Sequence, residues 1–441
     1  MNNRRRRKRS SIQRKDGWEN LLVGLGKVQD KSRYTNADFS IFLTDQELGN
    51  AYMGGGFPRT VIDVVAEDMT GKWIEIPNDD DNKIQTRLEL IKTESIYTAA
   101  LKWQRLYGGS IIIIGAADGN SLDQPLNEKK ITAIEWLKSV DRTEIDLFAS
   151  EFEEDPMNSE FGKPKVYTVR LGLSQKEFKV HRSRVIEFFG ELVPSSNTVA
   201  VDQETQYWGS SVLQSCWDQL RNLGGSSQAI MNILYEFIIG KYTLKGLSQK
   251  LATGQENKVI QRMEIINMYK SIINAVLLDE GENYVRDSAN VAGLDKLMEM
   301  LCLFLSGVTG IPLTKLFGRA PAGLNATGES DMNNYYDKII VKQRNELKHP
   351  LQRLVNLIAM TEKVPGDHLI KFNPLVQMTE KELAEIGKLK AETYNININL
   401  GIYDAQFIQE TQFPEVTESY ESRPEMPEEI KKPGEKENAI K

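Results

Sequence analysis

The chain has 441 residues, 40% of them hydrophobic and 27% charged, with a net charge of −7; that length carries an expectation of about two to three domains with enough apolar residue for a sizeable core. Its longest apolar runs, "IIIIGAA" at 111–117 and "LCLFLSG" at 301–307, fall short of the roughly 18 residues a membrane span needs, so no membrane partner is expected. Two cysteines, Cys216 and Cys302, are too few for a disulfide framework or a thiolate metal site, which makes a reducing, cytosolic setting the default.

The start, "MNNRRRRKRSS", is basic with no apolar stretch behind it, so it is not expected to be a secretory signal. Residues 1–15 hold eight basic groups, among them Arg4, Arg5, Arg6, Arg7, Lys8 and Arg9, and no acid. Removing those eight charges from the net −7 leaves −15 on the rest, so a basic arm is attached to an acidic body. An acidic body argues against broad-surface nucleic-acid binding, whose affinity comes mainly from phosphate neutralisation. The arm reads either as a polyanion contact or as a solvated, disordered tail.

From 43 to 70 the pattern predicts two helices broken at Gly54–Gly56. Pro58 falls in the first turn of the second, and Val61, Ile62, Val64, Val65 and Met69 form its buried face. "KWIEIP" at 72–77 alternates as a strand. Residues 83–107 read as one long amphipathic helix ending at Gly108-Gly109, followed by a strand whose four isoleucines, 111–114, predict cover on both faces. Further strands are expected in "AIEWLKSVDRTEI", "KVYTVRLG" and "EFKVHRSRVIEFFG", then a helix capped by Ser210 or Ser211 with a soft point at Gly224-Gly225. Beyond 240 come a short strand in "KYTLKG", a helix through "ENKVIQRMEIINMYKSII" and a strand-like "AVLLDEGENYVRDSAN". The helix "LDKLMEMLCLFLSGVTGIP" is apolar on nearly all sides and calls for neighbours around it. A long helix follows, in which Pro350 predicts a kink or break near His349. The last expected helix spans 379–394, and the proline-, glutamate- and lysine-rich end from 421 reads as disordered.

Catalytic apparatus is scarce. Of three histidines, His181 lies in a strand pattern, His349 at the expected kink and His368 in a loop, and no pair has metal-ligand spacing. His181-x-Ser183 is half of a two-histidine phosphodiesterase signature, but neither "HPL" at 349 nor "HLI" at 368 supplies the second half. There is no GxxxxGK[ST] and no GxSxG. No catalytic, cofactor or metal site is expected, and a structural or assembly protein is the better reading than an enzyme.

One loop stands out, "LFGRAPAGLNATGESDMNNYYDKI" at 316–339. Gly318, Gly323 and Gly328 free its backbone, but no lysine and hydroxyl follow to make a nucleotide cradle. Thr327 is placed to N-cap the next helix, with Glu329 and Asp331 in its first turn, where they repel phosphate. Arg319 is the only basic residue between Lys315 and Lys338, which suits a tip brushing past a polyanion rather than gripping one.

Five stretches taken together, "FPRTVIDVVAEDMTGKWIEI", "LYGGSIIIIGAADG", "VHRSRVIEFFGELVP", "YWGSSVLQSCWDQL" and "FLSGVTGIPLTKLFG" with "GLNATGESDMNNYYDKI", resemble the tailed-bacteriophage portal proteins, in the branch long catalogued as a phage-associated family of unknown function. The resemblance covers roughly residues 40–400. It implies an α+β, mostly helical portal-type fold: a basic disordered arm (1–39), a mixed α/β wing (40–206), a stem helix (207–236), a clip-like α/β segment (237–293), a second stem helix (294–317), a channel loop (318–331), a long kinked helix returning to the wing (332–375), a helical crown (376–420) and a disordered tail (421–441). It implies a ring, usually of twelve copies, at one capsid vertex of the virion, assembled in the host cytoplasm. Its partners would be its own copies, double-stranded DNA packaged and ejected through the channel, the terminase large subunit, the major capsid and scaffold proteins and a head-tail adaptor. The residues it would turn toward DNA are Lys315, Gly318, Arg319, Gly323, Asn325, Thr327 and Gly328. Two alternatives remain at this point: a relative of the phage anti-defence cyclic-nucleotide phosphodiesterases that carry a similar N-terminal region, and an internal head protein whose basic arm binds DNA.

Overall fold

The isoleucine run forms the centre of a three-stranded antiparallel sheet. Strand β2 (Gly109–Ala117) pairs with β3 (Ala133–Asp141) on one side and β7 (Val185–Phe189) on the other. Ile112 and Ile114 enter a large core built mostly from helices, whereas Ile111 and Ile113 enter a second core with Tyr167, Val169 and Val180. All four are fully buried, and each contributes on the order of 1.5–3 kcal/mol of hydrophobic stabilisation. The expectation of cover on both faces holds. The computed structural model describes residues 42–79, 81–172, 176–194, 202–235, 238–243, 252–254, 256–273, 283–288, 293–318, 325–376 and 380–401; the basic arm and the terminal tail lie outside them.

The second core is closed by another antiparallel sheet, β4 (Ile145–Phe152), β5 (Pro164–Leu171) and β6 (Lys176–His181). The chain crosses between the two sheets at two corners of matching sequence, "VDRTEI" at 140–145 and "VHRSRV" at 180–185. Each is a single 3-10 turn whose first side chain caps the backbone two residues on. Asp141 accepts from the Thr143 N–H at 2.9 Å, and His181 Nδ1 accepts from the Ser183 N–H at 3.2 Å. The flanking Val140, Ile145, Val180 and Val185 are buried, so the corners are pinned from below.

On the helical side, α1 (Asp45–Met53) starts with a capping box between Thr44 and Glu47, and α2 (Phe57–Thr70) carries Pro58 in its first turn. Val61, Ile62, Val65 and Met69 are buried as expected, and Val64 packs against the same core half-buried. The single helix expected over 83–107 is two, α3 (Lys83–Leu90) and α4 (Thr93–Tyr107). Lys92 adopts a left-handed conformation (φ +53°), and the Thr93 hydroxyl donates to the Leu88 carbonyl at 2.9 Å, satisfying a group that the break leaves free. Residues 72–77 contribute only the two-residue β1 (Ile74–Glu75), paired with β10 (Lys371–Phe372).

Three glycines let the backbone cross where α4 ends. Gly108 terminates α4 with φ +83°, and its carbonyl accepts from the Gly190 N–H at 2.8 Å. A Cβ on Gly108 would lie 2.3 Å from the Gly209 oxygen, and one on Gly190 would lie 2.6 Å from the Gly108 Cα, so no side chain fits. This crossing leads through α5 (Gln203–Trp208) into α6 (Val212–Tyr235), where the Ser211 hydroxyl accepts from the Leu213 N–H at 3.1 Å and caps the helix. The helix runs through Gly224-Gly225 without interruption. Then come β8 (Ile238–Thr243), α7 (Glu256–Ile273) and β9 (Asn283–Ser288), with β8 and β9 paired antiparallel.

Beyond α8 (Leu294–Thr309) and α9 (Leu313–Phe317), the long helix is α10 (Asn325–Lys342), a π turn (Gln343–Leu347) and α11 (Lys348–Glu362). Pro350 does not break it. The turn upstream widens, with the Lys348 N–H bonded to the Gln343 carbonyl five residues back, and this accommodates a ring that would otherwise crowd the Glu346 carbonyl. The chain divides after residue 375 into two units, Met1–Leu375 and Val376–Lys441; the described part of the second is dominated by α12 (Glu380–Asn399).

The loop between β2 and β3 is tied to the corner at 180–185 by a fully buried ion pair, Asp118–Arg184, at 2.6 Å. Burial pushes the Asp118 pKa up, but hydrogen bonds from the Asn127 N–H, Arg184 and the Asn120 N–H outweigh it and hold the carboxyl below its ordinary value. Because the folded pKa is depressed, the resulting stability is present above the unfolded carboxylate pKa and lost as pH falls through the folded value. Asp118→Asn leaves Arg184 charged and buried without its counter-ion. It should cost about 3–5 kcal/mol in denaturant unfolding and flatten the acid limb of the stability–pH curve.

Candidate functional site

The segment singled out by its sequence runs from α8 through α9 to α10. Helix α8 begins after Gly293 and ends at Gly310, both left-handed. Its inner side, through Leu305 and the half-buried Met298, Leu301 and Cys302, packs on the main core and along α6. Its other side is bare: Leu297 (58% exposed), Met300, Phe304 (57%) and Val308 recur at helical spacing as one stripe, with Leu303 beside it. The all-round apolar character of this helix therefore resolves into one covered and one uncovered face. A cleft of about 350 Å³ opens next to the stripe, between Leu303 and Ser306 of α8, Pro312 and Thr314 of α9, and Asp331 and Lys338 of α10.

The chain then turns at Ile311, which is buried and whose carbonyl accepts from the Ser306 hydroxyl at 2.6 Å. In α9, Leu316 is buried and Phe317 meets Phe57 edge-to-face at 5.0 Å, while Gly318 ends the helix with φ +70°. Lys315 does not point freely outward. Its ammonium lies 2.9 Å from Asp68 Oδ1 on α2 and 5.7 Å above the Tyr336 ring. The other Asp68 oxygen accepts from the Tyr335 hydroxyl at 2.7 Å. Burial, then the neighbouring Asp68, push the Tyr335 phenol far up, so it stays protonated and remains a donor.

Of the residues expected to face a polyanion, Lys315 is thus engaged inside the protein and Gly318 marks the loop's first end. Arg319 and Gly323 lie outside the described residues, as do Arg4 to Arg9. Asn325, Thr327 and Gly328 belong to α10, which starts at Asn325, so Thr327 sits inside the helix and not at its N-cap. Glu329 and Asp331 accordingly fall beyond its first turn. Asp68, Tyr335 and Tyr336, which anchor both ends of the loop, were not foreseen. Tyr335 and Tyr336 stood in the quoted segment, but their partner Asp68 comes from more than two hundred positions upstream, and no local pattern links them.

His181 and His368 both make local contacts that hold the fold. His181 caps its corner, and burial, followed by Lys165 and Arg184, lowers its pKa. His368 is buried, with Nε2 3.3 Å from the Val364 carbonyl. No cluster of three potential metal ligands occurs among the described residues. No helix among them is long and apolar enough to cross a membrane.

Tyr335→Phe removes a buried hydroxyl from a charged acceptor and keeps the ring. It should lower stability by about 1.5–3 kcal/mol in equilibrium unfolding. Amide hydrogen exchange should increase in α9, because Asp68 then holds Lys315 alone.

The family model for phage portal proteins matches residues 46–396. Among curated proteins, an anti-CBASS protein Acb1 of Caulobacter sp. (strain RHG1) is 31% identical over 396 residues. That match takes in 86% of this chain, and the chain spans 62% of that relative's length. An uncharacterized protein of Haemophilus influenzae (strain ATCC 51907 / DSM 11121 / KW20 / Rd) is 26% identical, with 88% of this chain and 87% of that protein covered. Among solved structures, a chain from the neck of a native GTA particle aligns with a TM-score of 0.49 at 13% identity, over 81% of this chain and 89% of that one. With the family match running from α1 almost to the end of α12, the chain belongs to the phage portal protein family.

Proposed function

We propose that the chain is the subunit of a portal ring, in which copies close around a channel at one vertex of a phage capsid. Through this channel DNA enters and leaves, and on it the terminase and the head-tail adaptor dock. The observation that carries this reading is the bare stripe of α8. A contiguous apolar face is unfavourable in water, and a head-to-tail contact repeated around a closed ring covers it on every copy without leaving one exposed. The family membership supports the same reading. On it, residues 40–206 form the wing, 207–236 and 294–317 the stem, 237–293 the clip, the chain after 331 the helix returning to the wing, and 376–420 the crown. The virion is then the site of action.

The start of α10 at Asn325 supports, on this reading, a channel loop of 318–324, shorter than the expected 318–331. Of the two cations expected to face DNA, this reading keeps Arg319 and sets Lys315 aside, because the Lys315 charge is already met by Asp68. A single cation per subunit suits a conduit, in which each added phosphate contact would slow the passage of DNA.

A second reading draws on the 31% identity to an anti-CBASS protein: an anti-defence phosphodiesterase. Incubating the purified chain with cyclic dinucleotides separates the two, since turnover belongs to the second reading alone.

Negative-stain microscopy of the full chain should show rings with a central hole. Phe304→Glu, which places a charge on the exposed stripe, should shift the protein to smaller species in analytical ultracentrifugation. A compact monomer of the unmodified chain at high concentration would overturn the ring. Arg319→Ala should change DNA packaging or retention while rings still form; loss of assembly would put Arg319 in a subunit contact instead.

A further inference from the structure

Two of the chain's three histidines, His181 and His349, line the same open cleft of about 580 Å³. They come from distant segments: His181 from the corner between β6 and β7, His349 from the helix just after the π turn. The cleft has the volume typical of small-ligand sites, and π turns inserted in α-helices occur frequently at such sites.

The charges around it are unevenly matched. Arg182 pairs with Glu187 at 2.8 Å and with Glu160, and Lys163 pairs with Glu160 at 3.2 Å, so these carboxylates are satisfied from within. Glu153, the remaining carboxylate of the lining, accepts from the Asp155 N–H at 3.3 Å. Neither Lys165 nor Arg353 makes a close ion pair among the described residues, although Lys165 acts at longer range on Glu151, which pairs with Lys179 at 2.6 Å. Arg353 spends donors on the Val185 carbonyl (3.2 Å) and the Ser183 carbonyl, which fixes its position without neutralising it. His181 Nδ1 is committed to Ser183, so its neutral ring carries the proton on Nε2 as a donor. Burial, followed by Lys165 and Arg184, lowers the pKa of His181, so its ring stays neutral beside Lys165. Val185, Ile186, Pro164 and Pro350 supply an apolar wall.

We propose that this cleft binds a small phosphate monoester, its phosphate held by Lys165, Arg353 and the two imidazoles and its organic body lying on the wall formed by Val185 and Pro350. A phosphate presents more acceptor oxygens than a carboxylate and suits several convergent donors. The volume exceeds what inorganic phosphate alone fills, which assigns the remaining space to the ester's body. This assignment is independent of ring formation, since the cleft is lined within a single copy.

Isothermal titration of the full chain with AMP as probe tests it, with adenosine and inorganic phosphate as controls. AMP should bind, adenosine should not, and phosphate should bind more weakly than AMP. Lys165→Ala and His349→Ala alter exposed side chains and leave the fold intact, which a matching thermal melt checks. Each should weaken AMP binding, Lys165→Ala by about tenfold or more. Four results would each overturn the proposal: no heat at millimolar AMP, adenosine binding as tightly as AMP, phosphate binding as tightly as AMP, or AMP affinity unchanged in both variants.

Discussion

A strand buried on both faces is the constraint from which the rest of this structure follows. With Ile111 and Ile113 in one core and Ile112 and Ile114 in the other, β2 has no solvated edge on which to shift register, because a slip by one residue would exchange the two faces against cores of different shape. Everything that meets its N-terminal end is therefore fixed as well. The Gly108, Gly190 and Gly209 crossing takes advantage of that fixity: three backbones approach more closely than any side chain permits, and the hydrogen bonds from Gly190 to Gly108 and Trp208 sew them together. Helix α6 leaves from this crossing, and α8 packs along α6, so the direction of the bare α8 stripe is inherited, by way of α6, from the strand.

A second chain of dependence runs from α2. Asp68 engages Lys315 before the loop and Tyr335 after it, and Gln343 at the π turn donates to the Met69 carbonyl one residue further along the same helix. As a partly exposed pair, Asp68 and Lys315 alone would contribute little. The buried phenol on the second carboxylate oxygen restricts the geometry and makes the anchor firmer than a surface ion pair. Lys315 before the segment and Tyr335 after it are thus both held by one helix. The π turn plays a comparable part, since it keeps α10 and α11 a single continuous element across Pro350 and carries His349 and Arg353 to the sheet corner.

What could be read in advance followed from local chemistry. The isoleucine run, Pro58 at a helix start, Ser211 as a cap and the alternation of helix and strand between 207 and 309 are all decided by residues within a few positions of one another. The misreadings came where longer-range packing overrides local preference. Lys92 bears nothing that marks a left-handed residue, and the break follows from burying Ile91 and Thr93 on either side of it. Pro350 forecasts a kink, but a widened turn is an equally good answer once Gln343 and Leu347 are buried. Lys315 reads as a free cation until Asp68 arrives from α2. The apolar helix 294–309 was legible as needing cover, though not as having only one side left to cover.

The distribution of charge connects these local facts to the proposed conduit. Before the loop Lys315 is neutralised by Asp68, and further along the following helix Lys342 is paired with Glu346, while the chain outside the first fifteen residues carries −15. A DNA-binding groove would be arranged the other way, with cations left unpaired so that each could release a counterion from a phosphate. Pairing them internally keeps the loop's supports rigid and removes the attraction that would arrest a moving polyanion. On this reading the ion pair at Asp68 has two consequences at once: it fixes the chain on either side of the loop, and it removes Lys315 from what passes.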